Sequence, residues 1–95
     1  MAEDRTQALL ADIAEALQAT EELPVERTAA RWIGEAQAVA TDLTRGEPAA
    51  DTVRRRVGQV VELLDNVEDT GHPEADERVD DAKAAAREAL ERLDS

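Results

Sequence analysis

The side chains that carry most protein chemistry are scarce in this chain. It has one His (His72), one Ser (Ser95) and no Cys, Tyr or Phe. A Ser–His–Asp arrangement is therefore excluded unless a Thr takes the place of Ser. Without Cys there is no thiolate metal site, no cysteine nucleophile and no disulfide. The four Gly (Gly34, Gly46, Gly58 and Gly71) stand apart from one another, so there is no glycine-rich phosphate loop. His72 lies between Gly71 and Pro73 and reads as an exposed turn residue. Its one route to chemistry is as a metal ligand beside Glu68 or Asp69. Carboxylates are what remains in quantity, 23 of them. Glu62 and Asp65, like Glu91 and Asp94, are three apart, which places both members on one side of a helix.

Helical proteins use carboxylates in a few known ways. Ferritin-like di-iron sites need Glu-x-x-His on two helices, and one His cannot supply both. Helical chorismate mutases bind a dicarboxylate with inward Arg and Lys. Lys83, the single Lys, sits in an Ala-rich segment with no inward partner. Glu62-Leu63-Leu64-Asp65 resembles the downstream half of the Mg²⁺-binding motif of all-α nucleoside-triphosphate pyrophosphatases, and Glu21-Glu22 is similar to its upstream half. That resemblance would imply a metal-dependent nucleotide hydrolase using Glu62 and Asp65. It departs from the pattern at Val25, where an acid is required, and at Pro24, which interrupts the helix that should present the acids. Among 23 acids, pairs at this spacing arise by chance, and these residues read as solvated helix faces. No catalytic residue, metal or cofactor is expected.

Charge is the stronger signal. The 11 basic residues against 23 acidic ones give a net charge of −12, outside the magnitude of about 2–8 usual for a small soluble domain. A surface this acidic repels a phosphate backbone, which argues against nucleic acid as a partner. No stretch approaches the roughly 20 apolar residues that span a bilayer. The N-terminal MAEDRTQALL also lacks the basic start and apolar run of a signal peptide. A cytoplasmic protein without a membrane partner is expected. Ten of the basic residues are Arg, and 19 of the 40 apolar residues are Ala. Acid excess, scarce Lys and small apolar residues in place of aromatics make the chain similar to the small acidic helical proteins of extreme halophiles. The resemblance implies a protein tuned to molar salt, where the Debye length shrinks to about 3 Å and self-repulsion fades.

The charge is also unevenly spread. Residues 1–24 carry six acids and one Arg, and residues 61–95 carry twelve acids and four bases. Residues 25–60 carry five acids and six Arg. This near-neutral middle holds Arg54, Arg55 and Arg56, whose cations oppose a helix N-terminal dipole. Either Glu47, Asp51 or the preceding segment pairs with them, or they form a docking patch for an acidic protein partner, a second copy or an anion. Trp32, the only aromatic residue, is a core side chain or an interface anchor. Gly34 and Gly58 fall at matching distances from the break near residue 46 and would let another surface approach closely. Trp32, Gly34, Arg54, Arg55, Arg56 and Gly58 are thus the candidate interface of a symmetric homodimer.

These residues must be positioned by helices. Leu23-Pro24, Gly46-Glu47-Pro48 and Gly71-His72-Pro73 divide the chain, each reading as a helix stop followed by a Pro that opens the next helix. In the second segment Val25, Ala29, Trp32, Ala36, Val39 and Leu43 step by four and three, as do Val53, Val57, Val60, Leu64 and Val67 in the third. The first has Leu9, Leu10, Ile13, Ala16, Leu17 and Thr20. The fourth relies on Val79, Ala82, Ala86, Ala89, Leu90 and Leu93, and its few large side chains suggest weak docking or cover from a second copy. No segment alternates with period two. The patterns predict an all-α domain over residues 1–95, an up-down-up-down antiparallel bundle of four helices near 3–22, 24–45, 48–70 and 73–94.

Overall fold

Period-3.6 stripes and short breaks leave the chain few arrangements, and the computed structural model, which describes residues 2–94, contains one of them. Helices α1 (Ala2–Ala19), α2 (Arg27–Leu43), α3 (Ala50–Asp65) and α4 (Pro73–Asp94) make the structure 81% helical, with a single 3₁₀ turn at Thr20–Glu22 and no strand among the described residues. Ser95, the lone serine, lies outside those residues. The helices form an elongated bundle, 37 × 20 × 18 Å, in which α1 packs on α4 and α2, and α3 packs on α2 and α4. Arg5 near the start of α1 pairs with Glu88 near the end of α4 at 2.9 Å. Arg54 early in α3 reaches Leu93 and Asp94 at the end of α4. Adjacent helices therefore run antiparallel.

Helix ends depart from the sequence expectation. Only Pro73 occupies a first helical position. Pro24 and Pro48 lie outside, because Glu26 and Ala49 adopt extended backbones and serve as the N-caps of α2 and α3. The Glu26 carboxylate accepts from Thr28 N and Ala29 N, both at 3.0 Å, which satisfies two of the donors a helix start leaves open. Likewise, α3 ends at Asp65 rather than continuing to residue 70. Asn66 turns its side-chain amide back to donate to the Glu62 carbonyl at 3.0 Å, and Val67 and Thr70 are drawn into the interior instead of staying on the helix. Gly71, at φ +79°, is thus a turn residue inside the α3–α4 connection and not the stop of α3. Gly46, at φ +68°, closes the α2 end in the left-handed conformation that glycine tolerates best.

The core explains why α4 needs no outside cover. Leu9, Leu10, Ile13 and Leu17 of α1 are at most 2% exposed. Opposite them α4 buries Ala75, Val79, Ala82, Ala86 and Ala89, four of these five at 0%. Large side chains on one helix fill the space that small ones leave on the next, as close packing requires. Ala75, Val79, Ala82, Ala86 and Ala89 of α4 are thus buried within their own chain and are not left for a second copy to cover.

Candidate functional site

Polar contacts to α4 and to the end of the first helical segment fix which way each central helix faces. Gln37 of α2 donates to Glu21 in the 3₁₀ turn that follows α1 at 2.8 Å, so that flank of α2 looks toward α1. Trp32 is set off from Gln37 by roughly 140° around the helix, at 3.6 residues per turn, and Val39 repeats the position of Trp32 two turns on. These two lie on the flank next to α3. On α3, Arg54 and Asp65 both pair with α4. Arg56 and Leu63 are on the other side, next to α2. Trp32, Val39 and Leu63 are half-buried and packed against the core. The Trp32 indole N–H has no hydrogen-bond partner among the described residues, which leaves the polar edge of the only aromatic ring available at the surface.

The charges bordering this apolar floor are sorted by helix. On α2, Glu35 and Asp42 share a side with Trp32 and Val39, by the same seven-residue spacing. Both are exposed, and their one ion pair is a long Arg31–Glu35 contact at 3.9 Å. On α3, Arg55 and Arg56 are exposed and make no ion pair or hydrogen bond among the described residues. The face formed by α2 and α3 thus has an α2 rim of Glu35 and Asp42 with Arg31 beside Glu35, an α3 rim of Arg55 and Arg56, and a strip of apolar surface between them. Electrostatically it is unlike the rest of a chain of net charge −12.

Other residues singled out by the sequence go elsewhere. Arg54 is engaged by α4: Nη2 donates to the Leu93 carbonyl at 2.8 Å, Nε lies 3.0 Å from Asp94, and Nη1 lies 3.6 Å from Asp51. It caps the end of α4, where cations are favoured. Gly34 lines a shallow groove with Thr20, Glu21 and Leu23 on the α1 flank. Gly58 follows Arg54 by one turn on the α4 flank. A Cβ at either glycine would meet no atom within 4 Å. The two glycines open on opposite flanks of the hairpin, so they do not combine with Trp32 into one surface. Asp65 is shared by Lys83 and Arg87 at 3.5 Å each, and Glu21 accepts from Gln37. One acid in each half of the pyrophosphatase-like pattern, Asp65 and Glu21, is therefore held by a neighbouring side chain. No group of three or more His, Asp or Glu is arranged to hold a metal ion among the described residues.

His72 is not the exposed turn residue of the sequence reading. It is half-buried and its Nδ1 is fully buried without a partner among the described residues. It sits in a polar node centred on Thr70, which is 0% exposed. Thr70 O accepts from Glu26 N at 2.7 Å, tying the α3–α4 connection to the start of α2. Thr70 N donates to Asp76 Oδ1 at 3.0 Å, and the Thr70 hydroxyl lies 2.8 Å from that same oxygen while accepting from His72 N at 3.1 Å. The backbone and hydroxyl donors of Thr70 hold the Asp76 carboxyl below the usual range. The N–H groups of Thr28 and Ala29 do the same for Glu26, and Arg5 and Arg92 do so for Glu88. All three are carboxylates held in place by donors: Glu26 caps its own helix, whereas Asp76 and Glu88 tie α4 to another part of the chain.

The four helices described above correspond to one known family. A family model described as "Domain of unknown function (DUF8152)" matches residues 9–95. The chain belongs to the DUF8152 family. The match begins within α1 and takes in the α2–α3 face, the Thr70 node and all of α4. No curated protein and no solved structure matches the chain. Glu35 and Asp42 are not singled out by the sequence reading. Their shared seven-residue spacing with Trp32 and Val39 was the signal that would have found them.

Proposed function

We propose that this DUF8152 protein is a non-enzymatic protein-interaction module that works in a salt-rich cytoplasm and pairs with a second copy through the α2–α3 face. The observation that carries this reading is the half-buried Trp32, Val39 and Leu63 strip, with Arg55 and Arg56, unpaired among the described residues, at its edge. Elsewhere the surface is dominated by acids, and two such surfaces repel. At α2–α3 six Arg offset five acids over residues 25–60, so a partner meets no net opposing charge. Trp and Arg are the residue types most enriched where binding energy concentrates. The glycines and Arg54 are not part of this surface.

The composition supports the solvent. Two chains of −12 come together only where long-range repulsion is screened, and at about 1 M salt the Debye length is near 3 Å. The test is the mass in solution at 1 M KCl across micromolar concentrations. Twice the 10.3 kDa of one chain is expected, falling toward a single chain with Trp32→Ala. A mass of one chain at every concentration overturns self-association.

A further inference from the structure

We infer that the second copy docks with its two-fold axis along the bundle, so that α2 of each chain lies on α3 of its partner. This inference rests on the self-association proposed above and adds the arrangement of the two chains. The face is not uniform: Glu35 and Asp42 form its α2 rim, and Arg55 and Arg56 form its α3 rim. Antiparallel α2 and α3 are joined by the short connection over residues 44–49. Counting outward from that connection, Arg55 and Arg56 stand at a height between Glu35 and Asp42.

Three ways of stacking two such faces are distinguishable by charge. A two-fold axis parallel to the helices keeps each copy at the same height and exchanges left for right. Each acidic rim then meets a basic rim, twice over, and Arg55 and Arg56 enter between Glu35 and Asp42 of the partner. A two-fold axis in the interface but across the helices puts α2 on α2 and α3 on α3, so that like charges oppose. A head-to-tail contact of the α2–α3 face with another surface leaves the whole Trp32, Val39 and Leu63 strip of one chain uncovered at one end of the assembly. Only the first pairs every unpaired rim charge and lays the apolar strips of both chains together. The α2 rim in it runs antiparallel to the α3 rim of the partner, the same relation the two helices have within one chain.

The experiment uses the full chain and exchanges the rims by charge reversal. All four positions are exposed on helix surfaces, and circular dichroism confirms that each variant is helical. Variant one is Arg55→Glu with Arg56→Glu, giving two acidic rims. Variant two is Glu35→Arg with Asp42→Arg, giving two basic rims. Variant three carries all four changes. Sedimentation equilibrium at 1 M KCl is the readout, because contact pairs persist there while long-range repulsion does not. Variants one and two each weaken the homodimer by about tenfold or more, since like charges then oppose across the contact, and their equimolar mixture restores the wild-type constant. Variant three dimerises as the wild type does but forms no mixed dimer with it.

Mixed dimers between wild type and variant three would mean that α2 lies on α2, and would overturn the arrangement. A wild-type dimer untouched by variants one and two would also overturn it, while leaving self-association through another surface in place. A wild type that stays a single chain removes the underlying reading itself.

Discussion

Thr70 shows how much one buried hydroxyl can organise. Its main-chain carbonyl holds the start of α2, and its N–H and hydroxyl hold the carboxylate of Asp76 in the first turns of α4. Thr70→Val keeps the shape and removes the hydroxyl, leaving His72 N without its acceptor. A loss of about 1–3 kcal/mol is expected, the range for stranding a buried polar group, read as a lower urea midpoint with unchanged slope. Asp76 and Glu26 add a pH dependence. Both carboxyls titrate lower in the folded chain than unfolded, so the stability they contribute is complete above their ordinary values and is lost as pH falls through the folded ones. At low salt, protonation also relieves the repulsion of 23 acids, which works in the opposite direction. The acid limb is therefore best read at about 2 M KCl, where screening removes that second effect. Urea midpoints there should be level from neutral pH down to the ordinary carboxylate range and fall below it. Asp76→Asn should flatten the fall, and an unchanged limb would show that the node is not its source.

Helix α4 makes a different point about composition. Its stripe is mostly Ala, and counting methylenes alone would rate it weak, at about 0.8 kcal/mol for each one missing. Yet Ala82, Ala86 and Ala89 are fully buried because α1 fills the space with Leu and Ile. The fit between the two helices is what matters, and it leaves Ala82, Ala86 and Ala89 no exposed surface. Ala86→Leu, a gain of apolar surface by composition, is expected to lower stability by about 1–3 kcal/mol through overpacking. Thermal unfolding checks this, and a stabilised variant would show that the α1–α4 contact can spread apart. Arg54 secures the same helix at its end by reaching the Leu93 carbonyl and Asp94. Its neighbours Arg55 and Arg56 project from the following positions on α3 and find no such partner. Helical geometry alone separates these roles, since adjacent residues point about 100° apart.

For the bundle taken together, charge sets the conditions under which it is stable. A chain of 10.3 kDa with net charge −12 concentrates repulsion over a surface of 5858 Å². The exposed ion pairs offset little of this, because water and salt screen them and holding two long side chains together costs entropy. Raising KCl from 0.05 M to 2 M is expected to raise the thermal midpoint and sharpen the transition. Equal midpoints at the two concentrations would remove the case for a salt-adapted protein. The measurement belongs at one protein concentration, because association also raises the apparent midpoint.

Four helices, their antiparallel order and most of the core are readable in the residues, since a period of 3.6 and a Pro-bearing break are local signals. Ala29, Ala36, Val57, Val60 and Leu64 lie on stripes that any helix would bury. Helix ends are another matter. Val67 keeps the α3 stripe in register, yet the chain leaves the helix at Asp65 because Val67 and Thr70 are drawn into the interior, where Thr70 meets Glu26 and Asp76. That competition is between a helical hydrogen bond and contacts with residues far along the chain, and no local pattern records it. The same holds for the surface. The triplet Arg54-Arg55-Arg56 is visible as a run of charge, but which member is taken and which are left depends on where α4 ends against α3. Gly34 and Gly58 look level in one dimension and open on opposite flanks in three. Sequence spacing reports position along and around one helix, whereas a surface is made by two, and their mutual orientation is set by packing.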